Sequence, residues 1–141
     1  MATSRSAKTH WEGSLLKGGG SVELASSGIG TFEVTWAART EPDASGRTSP
    51  EELLAAAHSA CFSMAFSNIL DKAGHAPESL ETSAVVGFQP GVGVTGSALR
   101  VRGVVPGLSE DEFVALAEQA KVNCPVSQAL SVEITLDAAL A

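Results

Sequence analysis

The apolar and polar positions change period several times along the chain, and each change marks an element. Near the N-terminus the pattern predicts short strands over 10–16, 21–25 and 31–36, separated by Lys17-Gly18-Gly19-Gly20 and Ser26-Ser27-Gly28, where glycine gives the backbone freedom a tight reversal needs. An antiparallel meander results. Glu41-Pro42-Asp43-Ala44-Ser45-Gly46 is a loop that feeds a long helix. Ser49 and Glu52 are spaced as a capping box, and Pro50 at the first helical position lacks only an N–H that has no helical partner anyway. Helix formers continue to Ala73 and Gly74 offers a left-handed stop, so the helix spans about 24 residues, or about 36 Å at ~1.5 Å each. Leu53, Leu54, Ala57, Phe62, Met64, Phe66 and Ile69 fall all round its circumference, which predicts a helix enclosed by other elements.

Beyond the helix, Leu80, Thr82, Ala84, Val86 and Phe88 alternate with Glu81, Ser83, Val85, Gly87 and Gln89. Leu99, Val101, Gly103 and Val105 alternate in the same way with Arg100, Arg102 and Val104. These are half-buried strands joined by a hairpin at Pro90-Gly91-Val92-Gly93. Ser109 and Glu112 open a second helix with Phe113, Leu116, Ala117 and Ala120 inward and Asn123 as its terminator. Val132, Ile134 and Leu136 give a last strand. Three strands, a long helix, two strands, a helix and a strand make an α+β chain, read as one domain over 1–141 with no internal repeat.

Composition narrows the class. An apolar content of 44% suits a folded protein, and 141 residues can bury a real core. A net charge of −7 argues against nucleic-acid or anionic-membrane partners, which need a basic stripe to release counterions. The opening MATSRSAKTHWEG does not resemble a signal peptide, and no stretch reads as the ~20 apolar residues of a membrane span, so a cytoplasmic protein is expected. Two cysteines in such a compartment are more often reactive or simply buried than a permanent staple.

Cys61 lies mid-helix and half hidden. Cys124 lies in Asn123-Cys124-Pro125-Val126-Ser127-Gln128-Ala129-Leu130, where Pro125 can start a short helical turn and place Cys124 at its N-cap, a position that favours a thiolate. Each cysteine alone reads equally well as a small buried hydrophobe. A separation of 124 − 61 = 63 residues excludes a CxxC site or zinc ribbon. His58 stands one turn before Cys61, so a Cys–His nucleophile pair is one reading, and a histidine that hydrogen-bonds a neighbour without chemistry is the plainer one. No fourth ligand joins Cys61, His58 and Cys124, so no metal is expected. Arg39, Arg47, Arg100 and Arg102 each read as surface arginines on composition alone.

HWEG near the N-terminus, PEELLAAAHSACFSMA around Cys61, and NCPVSQAL followed by VEITLDAAL around Cys124 resemble the OsmC/Ohr hydroperoxide-resistance family over essentially the whole chain. His58 and the CPVSQ motif point to the OsmC branch. The resemblance implies an α+β fold in an intertwined homodimer, with active sites at the subunit interface. It further implies a thiol-dependent peroxidase without metal or cofactor that prefers organic hydroperoxides to hydrogen peroxide and is recycled by a dithiol reductant of lipoyl or similar type. By motif, Cys61 matches the peroxidatic cysteine, Cys124 the resolving cysteine, Arg39 the arginine beside the thiolate and Glu51 the carboxylate that holds it. Arg47 is the alternative arginine, because the loop over 41–48 varies in length. Phe62, Met64 and Phe66 suit either a wall for an alkyl tail or the core. Two other readings stay open: a hydrolase or acyltransferase using Cys61 with His58, and a redox sensor that signals to a binding partner.

Overall fold

The computed structural model describes residues 1–141. The chain forms two compact units, Met1–Glu51 and Glu52–Ala141. In the first, β1 (Lys8–Glu12), β2 (Gly19–Glu23) and β3 (Thr31–Val34) make an antiparallel sheet in that order. β1 stops at Glu12, not at residue 16, because Gly13 turns into the left-handed region at φ 87°. β3 also ends early. The Thr35 side chain accepts from the Ala38 N–H at 3.1 Å and caps a short helix, α1 (Trp36–Thr40), which the strand pattern had concealed.

α2 (Pro50–Lys72) begins and ends as the capping residues predict, with Gly74 at φ 85° beyond it. Phe62, Phe66 and Leu70 have no exposed surface and form the heart of the second unit with Leu99, Val101, Phe113, Ala117 and Ala120. Phe66 meets Phe113 edge-on at 5.0 Å between centroids. The opposite face corrects the expectation of full enclosure: Ala56, Ala57, Ala60, Met64 and Asn68 are exposed, Met64 at 73%. By length and composition α2 is apolar enough to cross a bilayer, an 18-residue window averaging a mean hydropathy of 1.4, as the core helix of a folded domain also can be. Its alanines and aromatics raise that average while Phe62, Phe66 and Leu70 pack into the chain's own core.

β4 (Ser79–Gln89) and β5 (Gly93–Val104) form the predicted hairpin, with a register shift at Gly87/Phe88. Leu99, Val101 and Gly103 face the core. Gly103 has a backbone reason: a Cβ there would stand 2.7 Å from the Phe113 ring. α3 (Glu110–Asn123) carries the complete Ser109–Glu112 capping box. After α3 a second short helix, α4 (Pro125–Ala129), leads to β6 (Glu133–Leu140). β6 lies parallel to β5, whereas β4 and β5 pair antiparallel. Helices α3 and α4 form the crossover that returns the chain in the same direction.

Candidate active site

Cys61 and Cys124 come together although 63 residues separate them (124 − 61). Cys124 belongs to the buried core and Cys61 packs against it, near enough for each thiol to shift the other's pKa. α2 presents Cys61, which is partly exposed, and Cys124 is buried. Cys124 is at once the C-cap of α3, its N–H bonded to the Ala120 carbonyl at 2.8 Å, and the N-cap of α4, with Pro125 first in the helix. The predicted N-cap placement is therefore correct.

The two thiols have opposite surroundings. Burial pushes the Cys61 thiol up, the neighbouring Cys124 thiol raises it further, and the Val126 N–H only partly offsets them. Burial also raises Cys124, but the Ser127 N–H, the Cys61 thiol, the Ser127 hydroxyl and the Val126 N–H together bring it below the ordinary value. Hydrogen bonds to a thiolate favour the charged form and desolvation disfavours it, and here the donors win at Cys124 alone. The more acidic sulfur of the pair is the buried one.

His58 has no exposed surface, and Nδ1 and Nε2 lie 2.7 Å from the Ser97 and Ser127 hydroxyls respectively. Burial lowers its pKa and keeps the ring neutral. Both nitrogens are engaged by serines, the hydrogen bonding that the plainer reading expects of His58. Neither serine stood out in the sequence, and Ser127 carried only the faint signal of lying inside CPVSQ. The alkyl-wall reading fails for Phe62 and Phe66, which are fully buried in the core, and Met64 lies on the open face of α2.

In the first unit Arg39, in the last turn of α1, reaches Glu51 with two nitrogens: Nε to Oε1 at 2.8 Å and Nη2 to Oε2 at 3.0 Å. Glu51 is 6% exposed. The guanidinium also lies 5.9 Å from the centre of the Trp36 ring. Arg47, by contrast, pairs loosely with the exposed Glu33 at 3.8 Å. Of the two candidate arginines, Arg39 is the one held by Glu51. Arg100 and Arg102 both face Asp137 on β6, at 3.7 and 3.1 Å.

The OsmC-like protein family model matches residues 42–138. The chain belongs to the OsmC-like family. It is 39% identical over 140 residues to the peroxiredoxin OsmC of Escherichia coli K12, covering 97% of this chain and 96% of that protein. Among solved structures it resembles an organic hydroperoxide resistance protein from Elizabethkingia anophelis, with a TM-score of 0.72 and 26% identity over the whole of both chains. It also resembles an organic hydroperoxide resistance protein OsmC from Legionella pneumophila, with a TM-score of 0.71 and 25% identity, covering 100% of this chain and 98% of that one. The order of strands and long helix is that family's fold, with α1 as a short addition to the predicted scheme and α4 as the turn expected at Pro125.

Proposed function

We propose that the protein is a cysteine-based peroxidase that reduces organic hydroperoxides, and hydrogen peroxide less well, to alcohols or water. The observation that carries the reading is the neighbouring pair Cys61 and Cys124, distant in sequence and brought into one cluster by the fold. The Cys61 thiolate attacks the terminal peroxide oxygen, the O–O bond breaks, the alcohol leaves with a proton, and Cys61 becomes a sulfenic acid. Cys124 then attacks that sulfur. A disulfide forms, the oxygen leaves as water, and an external dithiol of lipoyl or similar type returns both cysteines to thiols at the cost of its own oxidation. The names of the relatives support this class of reaction. A reducing compartment such as the cytoplasm suits an enzyme recycled by thiols.

Within one chain Cys61 is held above its ordinary pKa, so the cycle requires a cation to draw the proton off. Arg39, fixed by Glu51, is proposed for that role. Glu51 and Cys61 are ten residues apart on α2, about 15 Å along its axis at ~1.5 Å per residue. A homodimer resolves this if two α2 helices cross near Ala56, because Glu51 of one subunit then approaches Cys61 of the other. The exposed face of Ala56, Ala57, Ala60 and Met64 supports such a crossing. The hydrolase reading has less support, as both His58 nitrogens are occupied by serines.

The deciding assay is consumption of tert-butyl or cumene hydroperoxide by the purified protein with dihydrolipoamide, dithiothreitol or thioredoxin as reductant. Turnover dependent on protein and reductant is expected. Inertness toward both peroxides with all three reductants excludes the reading.

A further inference from the structure

α4 is too short to hold its own place. A helix of 5 residues has little stability by itself, so its neighbours must fix it. The buried residue of α4 is polar: Ser127, whose hydroxyl lies 2.7 Å from Nε2 of His58 on α2. His58 has no exposed surface, and its Nδ1 lies 2.7 Å from the Ser97 hydroxyl on β5. No buried side-chain nitrogen or oxygen lacks a partner. Burying a polar group is costly unless its hydrogen bond is made, so parting His58 from Ser127 strands both. That cost fixes α4 against α2.

The spacing of the cysteines matches this bond. Cys61 follows His58 by three residues on α2 (61 − 58), and Cys124 precedes Ser127 by three (127 − 124). Residues three apart share a helix face. The Gln128 N–H bonds the Cys124 carbonyl at 3.0 Å and closes the turn that carries Cys124 and Ser127. His58 and Ser127 therefore stand one turn from the two cysteines, on the same two segments. Cys61 also packs against the core cluster that contains Cys124. A disulfide between them joins α2 to the N-cap of α4, and the His58–Ser127 bond already links those segments.

We propose that His58 is a positioning residue for disulfide formation: its bond to Ser127 latches α4 onto α2 and holds Cys124 in register with Cys61. The proposal rests on the reading of the two cysteines as a redox pair and names what keeps them paired while both are thiols. Without the latch α4 gains freedom in the reduced protein, whereas in the oxidised protein the S–S bond itself holds it. The disulfide then loses the advantage of prearranged partners. Ser97 has a different part, because it satisfies the second ring nitrogen from β5, a strand without a cysteine.

The test is the equilibrium of the full-length protein with reduced and oxidised dithiothreitol, which needs no peroxide. Cys61 and Cys124 lose two electrons and two protons as their S–S bond forms, and oxidised dithiothreitol takes these up as its own S–S bond breaks. Each mixture is quenched with acid, freed of dithiothreitol, alkylated in denaturant so that both sulfurs are open to reagent, and read by intact mass. Ser127→Ala is expected to lower the equilibrium constant about tenfold, or about 30 mV, the size of one buried hydrogen bond. Ser97→Ala deletes a bond of the same length to the same ring, so a merely structural role predicts equal effects. The latch predicts a change below about twofold for Ser97→Ala. A second pair of variants decides if a serine variant fails to fold. Gln places its amide near Nε2 and Asn near Nδ1, so His58→Gln should keep the wild-type constant and His58→Asn should match Ser127→Ala. An unchanged constant in Ser127→Ala or His58→Asn, or equal losses in the two serine variants, overturns the proposal. A wild-type protein that forms no Cys61–Cys124 disulfide at any dithiothreitol ratio overturns the redox-pair reading beneath it.

Discussion

Arg39 and Glu51 meet as a two-point ion pair, Nε on Oε1 and Nη2 on Oε2, with the carboxylate almost fully withdrawn from solvent. Removing the cation strands a buried charge, which costs far more than losing an exposed pair. Arg39→Met is expected to lower unfolding stability by about 3 kcal/mol. Arg47→Met, whose partner Glu33 is exposed, should change it by less than about 1 kcal/mol. Urea unfolding of the two variants measures the contrast, and equal effects would contradict it.

The proposed peroxidase cycle separates the two cysteines by experiment. Cys61→Ser should abolish hydroperoxide consumption. Cys124→Ser should allow a single turnover and leave a sulfenic acid on Cys61 that a dimedone-type probe traps. Substantial activity in Cys61→Ser would defeat the assignment of the attacking sulfur, and full multiple turnover by Cys124→Ser would show that internal resolution is dispensable.

The shared-site proposal is tested by subunit mixing. Glu51→Ala and Cys61→Ser homodimers should each be poorly active. If Glu51 serves the partner's Cys61, their heterodimer contains one doubly damaged site and one intact site. Recovery of roughly half the wild-type activity per dimer is expected from that site count. No recovery above the Glu51→Ala level would place both groups in one subunit's site.

His58 gives stability a pH dependence whose sign follows from its lowered pKa. Below its ordinary value of 6.5 the unfolded chain binds a proton that the folded chain refuses. Stability is therefore complete above that pH and is lost as the pH falls below it, with a slope of up to about 1.4 kcal/mol per unit. Chemical denaturation between pH 7 and 5 should show this loss. His58→Gln should flatten it, and an unaltered slope in the variant would assign the effect to other groups.

Much of the fold was legible because its signals are local. Ser109 with Glu112, Pro50, Gly74 and Pro125 act within one turn, so they mark α2, α3 and α4 directly. α1 was missed because Trp36-Ala37-Ala38 extends an apolar run, and only the Thr35 cap turns it into a helix. The parallel placement of β6 was hidden because periodicity records which face is buried and not which way the neighbouring strand runs. In the candidate site, motif resemblance nominated Cys61, Cys124, Arg39 and Glu51. Ser97 and Ser127 escaped, since contacts spanning 39 and 69 residues leave no spacing for a single sequence to display.

The double capping role of Cys124 bears on the fate of the enzyme under heavy oxidant load. Its backbone closes α3 and opens α4, while Cys61 is held in the middle of α2, so both cysteines sit on regular structure and pack in one cluster. On the proposed cycle, the disulfide then joins two neighbours that the fold has already brought into one cluster. Prearranged partners react with very high effective concentration. A second peroxide molecule must therefore win a race against a neighbour in place to drive Cys61 on to the irreversible sulfinic acid. Rigidity here acts as protection, keeping the oxidised sulfur on the recoverable side of its chemistry.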